Sequence, residues 1–127
     1  GMHREYLFDM TWYGEWEKWS QPVVIIEHEN KWNHDEFLID HWKLMMGFAP
    51  LRVSFGYARS EEDRRKLAAS LHQMCSSPKW VFPSECEDLV FLGYREMPSK
   101  RSFMLLHRPR GQHEFRDDGE LSRLWGQ

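Results

Sequence analysis

The chain has 127 residues, a formal net charge of −3, 41% apolar residues and 15% aromatic residues. These values describe one globular α/β-sized domain and exclude a disordered segment. They also exclude a protein that gathers nucleic acid through an overall basic field, so such a partner would need local basic patches or metal ions. Two cysteines, Cys75 and Cys86, make neither a disulfide framework nor a zinc site, and a reducing, cytoplasmic setting is expected. No stretch approaches the ~20 apolar residues that cross a bilayer, so no membrane partner is expected. No signal peptide is expected either, and Gly1 before Met2 reads as a remnant of tag removal.

The first strand is expected over Glu5–Tyr13, where Tyr6, Leu7, Phe8, Met10 and Trp12 surround Asp9. A polar connection from Gly14 to Pro22 carries Trp16 and Trp19. Most of the seven tryptophans are expected at the core and its edge, some at an interface. The second strand is expected over Val23–Glu29, where four apolar residues run into Glu27-His28-Glu29. Alternation along a strand places Glu27 and Glu29 on one face and His28 on the other. The short connection favours an antiparallel hairpin, which would bring Asp9 near the two glutamates.

Asn33 with Glu36 three residues on is a helix start, and Phe37, Leu38, Ile39, Trp42, Leu44, Met45 and Met46 form a broad apolar face before Gly47. After Pro50, Leu51, Val53, Phe55 and Tyr57 alternate with Arg52, Ser54 and Gly56, which predicts a half-buried strand. Ser60 and Asp63 open a second helix with Leu67, Ala68, Leu71, Met74 and Cys75 on one stripe, ending near Ser76–Pro78. A loop from Pro78 to Asp88 follows. The last strands are expected over Leu89–Tyr94 and Phe103–His107, joined through Pro98 and Ser99.

The reading is a single α/β domain over residues 2–108, a mixed β-sheet with flanking helices in the order β-β-α-β-α-β-β. Residues 109–127 read as a polar tail broken at Asp117-Asp118-Gly119, with Leu121, Leu124 and Trp125 available for a short docking helix.

Two carboxylates at the end of a buried strand repel each other unless a positive charge lies between them, and hard divalent cations favour oxygen ligands. Asp9, Glu27 and Glu29 are therefore the candidate ligands for Mg²⁺ or Mn²⁺, the ions that organise an attacking water in phosphodiester hydrolysis. On Phe8-Asp9-Met10 and Glu27-His28-Glu29, followed by a helix and the Leu51–Tyr57 strand, the chain resembles the PD-(D/E)XK nuclease superfamily. The resemblance covers roughly Glu5 to Tyr57 and implies a restriction-endonuclease-like core hydrolysing DNA or RNA.

Carried over residue by residue, it implies that Asp9, Glu27 and Glu29 are metal ligands or water activators. Glu29 stands where the family usually has lysine, although some members also carry Glu there. The replacement lysine would come from Lys31 or, preferably, from Lys43 on the following helix. Arg52, Arg59 and Lys100 would hold backbone phosphates. The family core usually begins with a helix, whereas this chain starts with a strand. A homodimer or an upstream partner segment is accordingly expected to complete the core.

Three other readings stand beside this one. The same scaffold, lacking the usual lysine, can serve as a catalytically inactive module that binds protein or nucleic acid. Glu27 and Glu29 can instead be solvated acids bridged by Arg52, with Asp9 on an edge strand. His28, His34 and His41, with Glu27 or Asp40, can form a zinc or iron site. Nucleophilic catalysis has no support, because Cys75 closes a helix and Cys86 lies between Glu85 and Glu87.

Overall fold

A computed structural model describes residues 2–3, 10–14, 22–29, 33–76, 85–94 and 102–120 of the chain. The elements are β1 (Met2–His3), β2 (Met10–Trp12), β3 (Val24–His28), α1 (His34–Met45), β4 (Leu51–Ala58), α2 (Glu61–Cys75), β5 (Glu87–Tyr94), β6 (Met104–Arg108) and β7 (Arg116–Glu120). The strands form one mixed sheet in chain order, β1 through β7. The two helical connections make β3–β4 and β4–β5 parallel, and every other neighbouring pair is antiparallel. This confirms a mixed α/β fold, and the expected β2–β3 hairpin forms with Met10 opposite Ile26.

Local chemistry explains the helix limits. The Asn33 side chain accepts from the Glu36 amide at 3.2 Å, and the Ser60 hydroxyl accepts from the Asp63 amide at 3.1 Å. Asp63 returns the favour by accepting from the Arg59 amide at 2.9 Å, a reciprocal cap. α1 ends as the amides of Met46 and Gly47 turn back to the Lys43 and Leu44 carbonyls.

Both helices lie on one face of the sheet. The main core between them holds Phe37 and Met45 from α1, Leu67, Leu71 and Cys75 from α2, and Val90, Leu92 and Leu106 from the sheet. Gly56 on β4 belongs to this face, and a Cβ there would stand 2.5 Å from the Phe37 ring, so only glycine lets α1 approach.

β4 alternates as expected, with its small and polar side turned to the helices and Val53 the buried member of the other side. Arg52, Ser54, Gly56 and Ala58 point toward the helices and are buried, whereas Leu51, Phe55 and Tyr57 point to the other side and are partly exposed. That second side carries a layer of rings: Phe55 stacks on Phe91 at 5.0 Å, and Phe103 meets Phe55, Tyr57 and Phe91 at 6.0–6.4 Å.

Arg52 faces inward because its charge is answered there. Its Nε and Nη2 donate to the two Asp88 oxygens at 2.6 and 2.9 Å, and its Nη1 donates to the Met45 carbonyl at 2.7 Å. Arg108 donates from Nε to Asp88 at 2.5 Å, from Nη1 to the Gln112 carbonyl and from Nη2 to the Cys86 carbonyl. Arg52, Asp88 and Arg108 are all 0% exposed. Burial by itself would raise the Asp88 pKa, but the hydrogen bond and charge of Arg52, then the charge of Arg108, hold it below the usual carboxylate value. Arg52 is therefore neither a phosphate contact nor a bridge between Glu27 and Glu29.

Two more expectations change. The sheet does not stop at His107, because Arg116–Glu120 pairs antiparallel with β6 and takes in the Asp117-Asp118-Gly119 run expected to break the tail. A register shift beside Leu106 and Gly119 at φ +89° accommodate that run, with Asp117 Oδ1 accepting from the Gly119 amide at 2.8 Å. Of the expected first strand, Met10–Trp12 is observed. Glu5–Asp9, the Trp16–Trp19 segment, the Pro98-Ser99 turn and Leu121–Trp125 lie outside the described residues.

The ion triad makes a quantitative prediction. Asp88→Ala leaves two arginines uncompensated in the interior and is expected to lower stability by about 3–5 kcal/mol. Urea unfolding measures this, and a loss below about 1 kcal/mol would contradict the assigned triad. The stability that ionised Asp88 contributes is present above the usual carboxylate range and is lost as pH falls through its lowered folded value.

Candidate functional site

β3 ends where the chemistry is concentrated. Ile25 and Glu27 alternate onto the helix side, and Glu27 is only 4% exposed. Beyond the strand the Glu29 amide donates to the Phe55 carbonyl at 3.0 Å, which keeps this segment alongside β4. Glu27 and Glu29 line one closed crevice, with no space for a water molecule as it stands, together with Phe37, Asp40 and His41 of α1 and Ser54 and Phe55 of β4. The crevice lies at the C-terminal end of β3, the end of parallel strands at which open α/β sheets receive ligands.

Positions 37, 40 and 41 share one face of α1 because i+3 and i+4 neighbours stack along a helix. That face brings Asp40 to Glu29. Burial and then the hydrogen bond with Glu29 raise the Asp40 pKa, while the hydrogen bond and charge of Lys43 pull it down. Lys43 Nζ stands 3.3 Å from Asp40 Oδ1. The Asp40–Glu29 contact thus sets two carboxyl groups side by side, an arrangement that disfavours ionising Asp40.

His41 forms the floor. Its Nδ1 is 2.8 Å from the Ser54 hydroxyl, and its ring stacks on Phe37 at 6.3 Å between centroids and meets Phe115 edge-on at 5.9 Å. Complete burial, with the charges of Arg52 and Arg108 adding to it against Asp88, lowers its pKa to about 4. His41 is thus a neutral packing residue at ordinary pH.

The structure brings Glu27 and Glu29 together as expected and adds Asp40, with Lys43 attached to it. Asp9 lies outside the described residues, although the next residue, Met10, pairs with Ile26 beside Glu27. Arg59 is exposed just past β4, Arg52 is buried, and Lys31 and Lys100 lie outside the described residues.

The histidines diverge. His28 Nε2 bonds the Tyr57 hydroxyl at 2.7 Å on the opposite sheet face, and His34 lies 2.9 Å from Asp63, so with His41 buried they form no shared site. Among the described residues no group of three or more His, Cys, Asp or Glu side chains is arranged to hold a metal ion. The sequence pattern groups Asp40 with the histidines alone. Its signal as a partner of Glu29 was an acid and a lysine at i, i+3 on the helix that follows the Glu-x-Glu strand.

Neither cysteine forms a disulfide. Burial pushes the Cys75 thiol up to about 12, which agrees with a structural residue. No described helix is long and apolar enough to cross a membrane. Compared with protein-family models, curated proteins and solved structures, the chain matches none of them.

Two titrations test this geometry. The Asp40 carboxyl, followed by ¹³C NMR, is expected to titrate above the ordinary value of about 3.9. In Glu29→Gln its midpoint should drop but stay elevated, because burial remains; an ordinary midpoint in the unmodified chain would refute the contact. For His41, whose folded pKa is lowered, stability is present above ~6.5 and is lost as pH falls toward about 4, by up to roughly 3 kcal/mol. The pH slope of urea-unfolding stability in that window should shrink in His41→Gln, and an unaltered slope would count against the assignment.

Proposed function

We propose that this protein is a metal-dependent nuclease on a restriction-endonuclease-like core, with Glu27 and Glu29 holding Mg²⁺ or Mn²⁺. The observation that carries this reading is the carboxyl pair Glu29–Asp40 beside buried Glu27, with Lys43 joined to Asp40. The donors are all oxygens, which suits a hard divalent cation. Asp9, outside the described residues, is the proposed third ligand from the strand next to β3.

The bound cation would neutralise charge on the phosphate and lower the pKa of a water molecule. Glu27, nearly buried, supplies a fixed carboxylate. Glu29 would supply the second carboxylate, and Asp40, hydrogen-bonded to Glu29 and paired with Lys43, would hold that lysine beside the site. Arg59, exposed just beyond β4, would contact the phosphate backbone, as would Lys100, which lies outside the described residues.

A second reading, a non-catalytic binding module on the same scaffold, is favoured by the aromatic layer on the far sheet face. The experiment that separates them is cleavage of single- and double-stranded DNA and RNA with Mg²⁺ or Mn²⁺, run beside Glu27→Ala and Lys43→Met. The nuclease reading expects metal-dependent cleavage that falls more than about 100-fold in Glu27→Ala, beyond what changes outside the ligand shell cause. A Mn²⁺-induced rise in melting temperature should vanish in the same variant. Absence of both cleavage and the thermal shift would leave the binding module.

A further inference from the structure

The terminal strand β7 is held to the sheet in an unusual way. Its five residues, Arg116-Asp117-Asp118-Gly119-Glu120, are all exposed and none is apolar. Hydrophobic burial therefore contributes nothing to seating the strand itself, and polar contacts decide how firmly it docks. One of them joins Glu120 to Arg64 of α2. Another group, among the described residues, is centred on His107 of β6.

The His107 ring is wedged between two strands. Its Nε2 lies 2.6 Å from Glu87 Oε2 on β5, which orients the imidazole. Its Nδ1 faces two groups on β7, Asp118 Oδ2 at 3.2 Å and Arg116 Nη2 at 3.3 Å. These demand opposite things of one nitrogen, since a carboxylate only accepts and a guanidinium only donates. With Nδ1 protonated, His107 donates to Asp118. With Nδ1 bare and the proton on Nε2, it accepts from Arg116. Arg116 Nε is also 3.1 Å from Asp118 Oδ1, so both partners are already in place and only the proton changes.

We infer that His107 is a proton-operated clasp on β7, docking the strand firmly as imidazolium and loosely as imidazole. Among the described residues, the charged groups facing it are Glu87 from β5 and Arg116 and Asp118 from β7, while its face neighbours on β6, Leu105 and Pro109, and its register partner Leu89 are uncharged. Protonation makes this four-group cluster neutral overall and, toward β7, exchanges the Arg116 contact on a neutral nitrogen for a charge-assisted bond to Asp118. Loss of that proton returns Nδ1 to the weaker Arg116 contact, so docking weakens as pH rises. Phe115, just before β7, stays packed in the main core, which confines the loosening to residues 116–120.

Amide hydrogen exchange on the full chain, expressed as protection factors, tests the clasp. Between about pH 5.5 and pH 8, β7 protection is expected to fall about five-fold relative to β5. In His107→Gln the β7 protection should sit at the weaker level at both pH values. Asp118→Asn, an exposed change, should likewise remove the pH dependence and decides the question should His107→Gln not fold. Constant β7 protection in the unmodified chain, or pH dependence that survives in either variant, would overturn the proposal.

Discussion

The fold depends on a charge that has been taken out of water. Arg52, Asp88 and Arg108 lie level with one another on three adjacent strands, with Arg52 in register with Asp88 and Asp88 in register with Arg108. Desolvating three ions is strongly unfavourable unless their geometry and remaining hydrogen bonds are complete, and here they are complete. A slip of one residue in either pairing would send a side chain to the wrong face and leave an arginine unanswered in the interior. The triad thus specifies register more than it adds stability. Its outer donors reach the Met45 and Cys86 carbonyls, so it also fixes the end of α1 and the approach to β5.

That arrangement sets the conditions at the candidate site. β4 must present its small and polar side to the helices: Arg52 for Asp88, Ser54 for His41 and Gly56 for Phe37. With α1 seated this way, His41 lies under the crevice as a neutral ring and Asp40 arrives beside Glu29. The residual positive charge of two arginines against one aspartate helps keep His41 uncharged. The acids in the crevice are therefore offset locally by Lys43 rather than by a histidine.

The two sides of the sheet consequently do different work. The helix side combines a conventional apolar core under α2 with a polar layer under α1. The other side is aromatic and aliphatic across β3–β6 and polar toward β7, where His107 gathers charges from both neighbouring strands. The edge strand that closes the sheet is attached by ionic contacts and backbone pairing, not by burial.

Local signals alone determined a good deal. Asn33 and Ser60 capped the helices where expected, because a cap is a contact between residues three apart. The β3 alternation placed Glu27 and His28 on opposite faces, because a strand has a period of two whatever surrounds it. Tertiary structure decided the rest. Which side of β4 faces the helices depended on an acid 36 residues away in sequence, so alternation revealed two faces but not which was inside. Arg116–Glu120 is a strand because β6 pairs with it, with His107 and Arg64 meeting its side chains; its composition is that of a turn. The pairing of Asp40 with Glu29 joins a helix face to a strand end, and only the packing of α1 onto β3 and β4 could establish that distance.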